Sequence, residues 1–541
     1  MVSTDRVAGT SPEDANAGSG TLLSSPHRSG PSGFAFAVII AGALAVGALL
    51  RLPPVLAADF PLNDGGLFDA MLRAVRAAVP ALPRTVSYNG LEIPFAYPPL
   101  GFLLGAGCQA VAGSSSLEIL RFFPLALNLL SLLAFCFLAR AVLQDTVAIV
   151  GATLLFAVLP RAFEWLIMGG GLTRSPGLFF TLLALMSVYR GMRHDSVGAF
   201  FLSSVALAAA ILSHPEWAVS ATVALTLAIA TRTNWRRGVR LLSRIAALTA
   251  LLIAPWLIVV LTHHGVAPFR AAFVTGTRPA LEAVSSLCSL GFLQTPDVPL
   301  SPALIAGIGC AVLVARREFF LPVWLVAVML TTPRHGSTAA TVPLALVGGV
   351  GAAALGSWLA GFVRGSTVKK TLSLAPGVGF AAVLLLAQLR SGPATWLAPV
   401  TQEARAGMEW IRMNTPEDAR FVVLTPAGHW STDGTAEWFP VLAARVSLTT
   451  VQGLEWLPAH GYAKRETFVR EIKNLQVTSP ASLASESMSF GREAGGRLYV
   501  AVFIPGAGPD WGGFRDSGRY RLDLSTPGAL VFSEAALRHR E

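Results

Sequence analysis

Eleven apolar stretches separated by short polar turns constrain this chain more than any other feature in it. In hydrocarbon no water takes up unpaired backbone N–H and C=O groups, so such stretches are stable only as helices that satisfy those groups internally. They fall at 33–52, 118–139, 146–166, 175–189, 197–213, 216–231, 241–262, 299–315, 319–333, 338–362 and 373–390. Most approach the ~20 residues that a crossing requires. The fold expected is a polytopic α-helical membrane protein of about eleven transmembrane helices, followed by a C-terminal extracytoplasmic α/β domain. Hydrophobic residues make up 53% of the chain and charged residues 13%, so arguments from a water-soluble core do not apply before residue 391.

The remaining charges report topology. Basic residues occur in small clusters between the apolar runs and never as a tract, so a net charge of +10 does not point to nucleic acid. The segment 98–111, PPLGFLLGAGCQAV, is apolar but short for a crossing. If it stays on one surface, thirteen basic residues, among them Arg140, Arg190, Arg236, Arg316 and Lys369, share one set of loops. Five, Arg161, Arg174, Arg270, Arg278 and Arg334, share the other. If it crosses, the two counts change sides. The positive-inside rule selects the first arrangement, with the N-terminus cytoplasmic, the C-terminus outside the cell membrane and 98–111 a helix packed at the outer face.

Residues 1–33, rich in Ser, Gly and Pro without hydrophobic period, read as a disordered cytoplasmic tail. They lack a basic region running straight into an apolar core, so the first span is expected to be retained. Residues 34–390 form the transmembrane domain, with an acidic first outer loop at 53–117. Beyond Arg390 the apolar period stops. Residues 391–541 read as the extracytoplasmic domain, with a helix at 401–413 and buried strands at 420–424 and 497–504. Cys108, Cys136, Cys288 and Cys310 lie in or beside apolar runs without metal-ligand spacing, so neither a disulfide framework nor a zinc site is expected.

This topology collects the ionisable residues on the outer side. Asp59, Asp64, Asp69 and Glu92 fall in the first loop, Glu164 and Arg174 in the second, His214 and Glu216 in the third, His263 and His264 in the fourth, Arg334 and His335 in the fifth. Ionisable groups near membrane depth are costly and are retained for a task, and one outward cavity accounts for all of them. The tetrapeptide Asn63-Asp64-Gly65-Gly66 is turn chemistry, because glycine permits positive φ and Asn or Asp bond their own backbone. From Leu67 the spacing of Leu67, Met71, Leu72, Val75 and Val79 opposite Arg73 and Arg76 predicts an amphipathic helix lying along the membrane surface.

Asp64 is the candidate general base, since a fixed carboxylate can take the proton of an attacking hydroxyl; the alternative is an Asx-turn residue bonded to its own backbone. Glu164 is the second catalytic candidate. Facing Asp64 it would hold a divalent cation, Mg or Mn, with a phosphate; otherwise it pairs with Arg161 or Arg174. The substrate-binding candidates are Asn63, Arg174, His214, Glu216, Arg334 and His335, the arginines because a guanidinium matches phosphate oxygens and stays charged. Asp59 and Asp69 read as support, and Trp430, Trp438 and Trp456 as sugar-stacking or core residues.

In this order of motifs the chain resembles the GT-C superfamily of membrane glycosyltransferases, which includes the protein O-mannosyltransferases, the aminoarabinose lipid A transferases and the oligosaccharyltransferase catalytic subunit. The likeness runs over nearly the whole chain: an acidic first outer loop with an amphipathic helix, a surface helix at Pro98-Pro99-Leu100, a span ending in Leu138-Ala139-Arg140, another ending at Pro160 before an acidic loop, and a Trp-Ile-x-x-Asn-Thr-Pro-like element at 410–416 opening the outer domain. The resemblance implies a polyprenyl-phosphate or diphosphate sugar donor, a glycan, lipid or protein acceptor, and inverting transfer at the outer face. Its first-loop catalytic aspartate falls on Asp64 and its second-loop acid nearest Glu164. No Asp-x-Asp or Asp-Asn-Glu triplet stands there, and no Trp-Trp-Asp motif follows, so neither a tightly held metal nor N-glycosylation of sequons is expected. A transporter or flippase for a lipid-linked or anionic solute would instead require mid-span ionisable residues and repeated halves. A non-catalytic envelope-glycan binder would release no lipid phosphate.

Overall fold

The structure, a computed structural model, describes residues 30–276, 302–332, 336–457, 461–479, 482–487, 497–508 and 511–535. All eleven predicted spans contain helix. The first, α1 (Gly33–Ala57), starts where the Ser32 hydroxyl accepts from Ala35 N. The first loop then forms α2 (Gly66–Ala78), a hairpin of β1 (Thr85–Tyr88) and β2 (Leu91–Pro94), and α3 (Leu100–Ala112). α4 (Ser116–Val142) opens with a capping box between Ser115 and Glu118. α5 (Thr146–Val158) is capped by Asp145. The remaining helices of the membrane part are α6 (Gly171–His194), α7 (Val197–Ser213), α8 (Pro215–Arg232), α9 (Trp235–His264), α10 (Ala267–Gly276), α11 (Pro302–Ala315), α12 (Phe320–Thr331), α13 (Gly336–Gly361) and α14 (Ser366–Ser391).

Among the described residues six helices, α1, α4, α6, α9, α13 and α14, are long and apolar enough to cross a membrane, while α3, α7, α11 and α12 are shorter apolar helices. Two segments depart from expectation. The helix predicted at 175–189 runs over 24 residues as α6, because the glycines that precede it carry no hydropathy signal yet enter its first turn. The segment 146–166 is bent by 81°. Pro160 has no N–H and holds the preceding residue extended, so Leu159 leaves the helix at ψ 119°. The chain then turns through two short 3₁₀ turns, Pro160–Ala162 and Glu164–Leu166.

At the centre of the bundle α13 packs on α5, α11 and α14 by close backbone approach. A Cβ on Gly349 would stand 2.3 Å from Ala148 O, and one on Gly351 1.9 Å from Ile305 O. Small residues let membrane helices approach in this way, since dispersion rather than the hydrophobic effect drives their association.

The C-terminal domain comprises α15 (Gln402–Asn414), β3 (Arg420–Leu424), α16 (Gly434–Leu442), β4 (Val446–Ser447), α17 (Gly461–Thr478), β5 (Leu498–Val502), β6 (Tyr520–Thr526) and β7 (Ala529–Glu534). Its sheet has the order β4-β3-β5-β7-β6, with β3 parallel to β4 and β5, and β7 antiparallel to β5 and β6. The predicted helix at 401–413 and the two predicted strands are α15, β3 and β5. The domain sits on the first loop. The turn of the β1–β2 hairpin, Asn89-Gly90, has both φ values positive, and the Asn89 side chain donates to Ser447 O and accepts from Ser447 N along the edge of β4 (3.0 and 2.7 Å). The amphipathic helix is present as α2, but its apolar face does not lie on lipid. Leu67, Phe68, Met71, Leu72 and Val75 are buried, and α2 packs against α3 and α16.

Candidate active site

The turn at 63–66 is held by its surroundings atom by atom. Asn63 (φ 49°) and Gly65 (φ 137°) both adopt positive φ. Asn63 N donates to Ala398 O at 3.0 Å, and Asn63 Nδ2 donates to Trp396 O at 2.6 Å and Thr432 O at 3.0 Å. Asn63 O accepts from Trp438 Nε1 at 3.0 Å. Asn63 was a candidate for substrate, yet its amide nitrogen is spent on two backbone carbonyls, so it anchors the turn. Trp438 is fully buried and belongs to the core. Of the support residues, Asp59 pairs with Arg405, and Asp69 is buried beside Arg73 at 2.9 Å, burial raising its pKa.

Between these anchors Asp64 projects its carboxylate toward the start of α6. Its Oδ1 accepts from Gly170 N at 2.8 Å, and its Oδ2 is ion-paired with Arg174 Nη2. Arg174 also donates through Nη1 to Trp165 O at 3.0 Å, with the Trp165 and Phe68 rings 5.4 and 5.9 Å from its guanidinium carbon. The glycine run 169–171 is explained by this approach. Gly169 N donates to Leu62 O, and a Cβ on Gly169 would fall 2.1 Å from Asp64 O.

A carboxylate from outside the predicted set is bonded to the backbone of this turn. Glu164 lies buried in its own 3₁₀ turn with Arg161 as its charged neighbour. The structure instead brings in Glu437 of α16, 3% exposed, whose Oε1 accepts from Gly65 N at 3.1 Å and Leu67 N at 3.3 Å. Burial and then the charge of Asp64 push the Glu437 carboxyl well above the usual carboxylate range.

Arg174 also lines a cleft. Across it stand His214, Glu216 and Trp217 at the start of α8, and Thr332 and Thr338 at the end of α12 and the start of α13. Three predicted residues from two loops, Arg174, His214 and Glu216, therefore share one cavity. Arg334 and His335 lie outside the described residues, and Thr332 and Thr338 on either side of them line the same cleft. His214 caps α8, its Nδ1 accepting from Glu216 N at 3.2 Å, and its ring lies 6.1 Å from that of Tyr97. Tyr97 in turn packs on Trp456 at 5.3 Å. His264 points elsewhere, bonded to Arg84 O at 2.9 Å.

Two further polar residues escaped sequence reading. Arg51 of α1 is buried, with Nε donating to Asn128 Oδ1 at 2.7 Å and Nη1 to Ala157 O at 2.6 Å. Asn128 Nδ2 donates to Ala162 O at 3.1 Å, so this pair ties α1 and α4 to the bend after α5. No cluster of three His, Cys, Asp or Glu side chains is placed to hold a metal ion among the described residues.

The family profile of dolichyl-phosphate-mannose-protein mannosyltransferases matches residues 96–263, from α3 to the end of α9. No curated protein sequence matches the chain. Among solved structures the fold is similar to the oligosaccharyltransferase of Archaeoglobus fulgidus in its apo form, with a TM-score of 0.57 and 13% identity over 87% of this chain and 70% of that one. It is similar to ArnT from Cupriavidus metallidurans at a TM-score of 0.53 and 14% identity, over 92% of this chain and 98% of that one. It is also similar to the mycobacterial arabinofuranosyltransferase AftD, at 0.52 and 16% over 95% of this chain and 40% of that one. The archaeal protein has been captured with an inhibitory peptide and a dolichol-phosphate and with Zn and sulfate, and ArnT with undecaprenyl phosphate. Joined to the acidic turn, the surface helix and the C-terminal sheet domain described above, these likenesses show that the chain shares the fold of these membrane proteins.

Proposed function

We propose that this protein transfers a sugar from a polyprenyl-phosphate donor to an acceptor hydroxyl at the extracytoplasmic face of the membrane, with inversion at the anomeric carbon. The observation that carries this reading is the double position of Arg174, which pairs with Asp64 and also lines the cleft framed by the first turns of α6, α8 and α13. Helix starts carry positive partial charge, and with a guanidinium among them such a cleft favours a phosphate. The phospholipid ligands of the archaeal enzyme and of ArnT support the same donor class. The placement of basic residues between the spans supports an outward-facing site.

In the reaction the acceptor hydroxyl oxygen bonds to the anomeric carbon as the bond from that carbon to the phosphate oxygen breaks. The hydroxyl proton passes to Asp64, and the bonding electrons leave with the lipid phosphate. A carboxylate offers about four lone-pair sites, of which Gly170 and Arg174 occupy two, so Asp64 can still accept the proton. Arg174 orients the Asp64 carboxylate before the donor arrives and stabilises the phosphate charge as it develops. A phosphate that draws the guanidinium toward the cleft loosens its hold on Asp64 and frees Oδ2 to accept the hydroxyl proton. Glu216 accepts from sugar hydroxyls, and His214 holds the start of α8.

A divalent cation does not fit the donor set around Asp64. One carboxylate oxygen accepts a backbone N–H, and the other faces a guanidinium standing where a cation would bind. No step is assigned to a metal.

Purified protein in vesicles, supplied with a panel of polyprenyl-phosphate sugars, is expected to consume one class and release lipid phosphate. General base help is worth about 10²–10⁴ in rate, so Asp64→Asn should lower turnover at least ~100-fold while inserting normally. Arg174→Ala should lower kcat as well as raise the KM for donor. Turnover near wild type in Asp64→Asn would remove the assignment.

A further inference from the structure

We infer that Glu437, supplied by the C-terminal domain, is the positioning residue for Asp64, so that the domain outside the membrane completes the reaction centre within the first loop. The inference rests on the function proposed above. It starts from the N-terminus of α2. Gly65 has no side chain with which to cap that helix, and a helix start leaves unpaired N–H donors that are ordinarily met by a nearby Ser, Thr, Asp or Asn. Here the N–H groups of Gly65 and Leu67 are met by Glu437 Oε1, more than 370 residues along the chain, and one of them adjoins Asp64 directly. The approach is close enough to require glycine at 66, where a Cβ would stand 2.4 Å from Glu437 O. Glu437 is fixed in its turn. Tyr88 Oη donates to its backbone carbonyl at 2.5 Å, Asp433 caps its helix, and the next residue, Trp438, holds Asn63 O.

A local hydroxyl would cap α2 without bringing a second carboxylate up to Asp64. Burying one there is unfavourable unless donors and a cation offset it, and only the two N–H groups, the helix start and Arg174 do so. The charged and titratable groups around Glu437 are Asp64 from the turn, Arg174 from α6, Tyr88 from β1 and Asp433 at the start of α16. With Glu437 protonated, Asp64 and Arg174 form a neutral pair. Once Glu437 ionises, the cluster carries a net negative charge. Glu437 thereby sets the place of the base and adds its own titration to the pH dependence of the site.

Two substitutions separate this role from a merely structural one. Glu437→Gln keeps an oxygen for Gly65 and Leu67 and loses the titration, whereas Glu437→Ala loses both. Full-length protein in vesicles is assayed for kcat and donor KM from about pH 5.5 to 9, and exchange of the backbone amides at 63–70 is followed by mass spectrometry. Displacing a reacting group by about 1 Å costs on the order of 10²-fold. Glu437→Ala should lose at least ~10-fold in kcat, keep donor KM within ~3-fold and exchange faster at 63–70. Glu437→Gln should keep the amides protected, hold kcat within ~3-fold near neutrality and show a changed pH profile. Wild-type kcat in the Ala variant, or an unaltered pH profile in the Gln variant, overturns the inference. If the Ala variant fails to fold, the Gln profile decides. If wild-type protein consumes no donor, the proposed function fails on its own; amide exchange that rises in the Ala variant and not in the Gln variant then upholds the positioning contact, and equal exchange overturns it.

Discussion

At the scale of single residues, the site depends on charges placed where water is scarce. Glu437 gives the clearest pH signature. Its folded-state pKa lies above the value in the unfolded chain, so the native state keeps a proton that the unfolded state has already lost. Its contribution to stability is complete below the ordinary carboxylate range and declines as pH rises from about 5 toward the raised value. Thermal unfolding of detergent-solubilised protein should show this decline between about pH 5 and 9, and Glu437→Gln should flatten it. Arg51 makes a different demand. Replacing it with Met leaves Asn128 Oδ1 and Ala157 O without their donor inside the bundle, and each such loss costs about 1–3 kcal/mol. A lowered Tm with unchanged donor KM is the expected result. Asp64 was legible in the sequence because its turn is local chemistry, an Asn and an Asp followed by two glycines. Glu437 was not, because a glutamate in the first turn of a helix carries no local sign of the loop it will meet. Arg51 was hidden for a related reason. At the end of an apolar run it reads as a flanking charge, and only Asn128 opposite makes it a buried one.

At the scale of elements, apolar periodicity identified the helices, and backbone chemistry decided how they end and bend. The span expected at 146–166 shows the limit. Its residues up to Pro160 are almost all apolar, so hydropathy reads one crossing, yet at Pro160 the chain turns by 81° into two short 3₁₀ turns, the second of which carries Glu164. Hydropathy also treats α2 as an isolated surface helix, because nothing within 66–78 reports that α16 will cover it. The glycines are more informative in retrospect. Those at 169–171 lie where one backbone meets another, and those at 349 and 351 do the same for α13 against α5 and α11. Gly351→Leu should push α11 and α13 apart and cost several kcal/mol, since overpacking by single groups already costs about 1–3 kcal/mol. Thermal stability in detergent, compared with a lipid-facing control such as Val383→Leu, measures it.

At the scale of the whole molecule, the structure places a sheet domain over one end of a helical bundle and lets the two share the acidic turn. The basic-residue count between the spans predicts that domain outside the cell membrane. Protease applied to intact spheroplasts should therefore cut within 391–541 while leaving the loop between α8 and α9 untouched. Cleavage of that loop alone would invert the topology. The sheet order β4-β3-β5-β7-β6 could not be read from the chain, because strand pairing is set by contacts between distant segments and the strands themselves are only two to seven residues long. Docking of the Asn89 hairpin on β4 has an implication for synthesis. The ribosome makes the hairpin some 350 residues before its partner strand, and Asn63 as long before Thr432 and Trp438. The nascent chain therefore holds its first loop without these partners while the later helices are made, and the turn is fixed only when the C-terminal domain has closed over it.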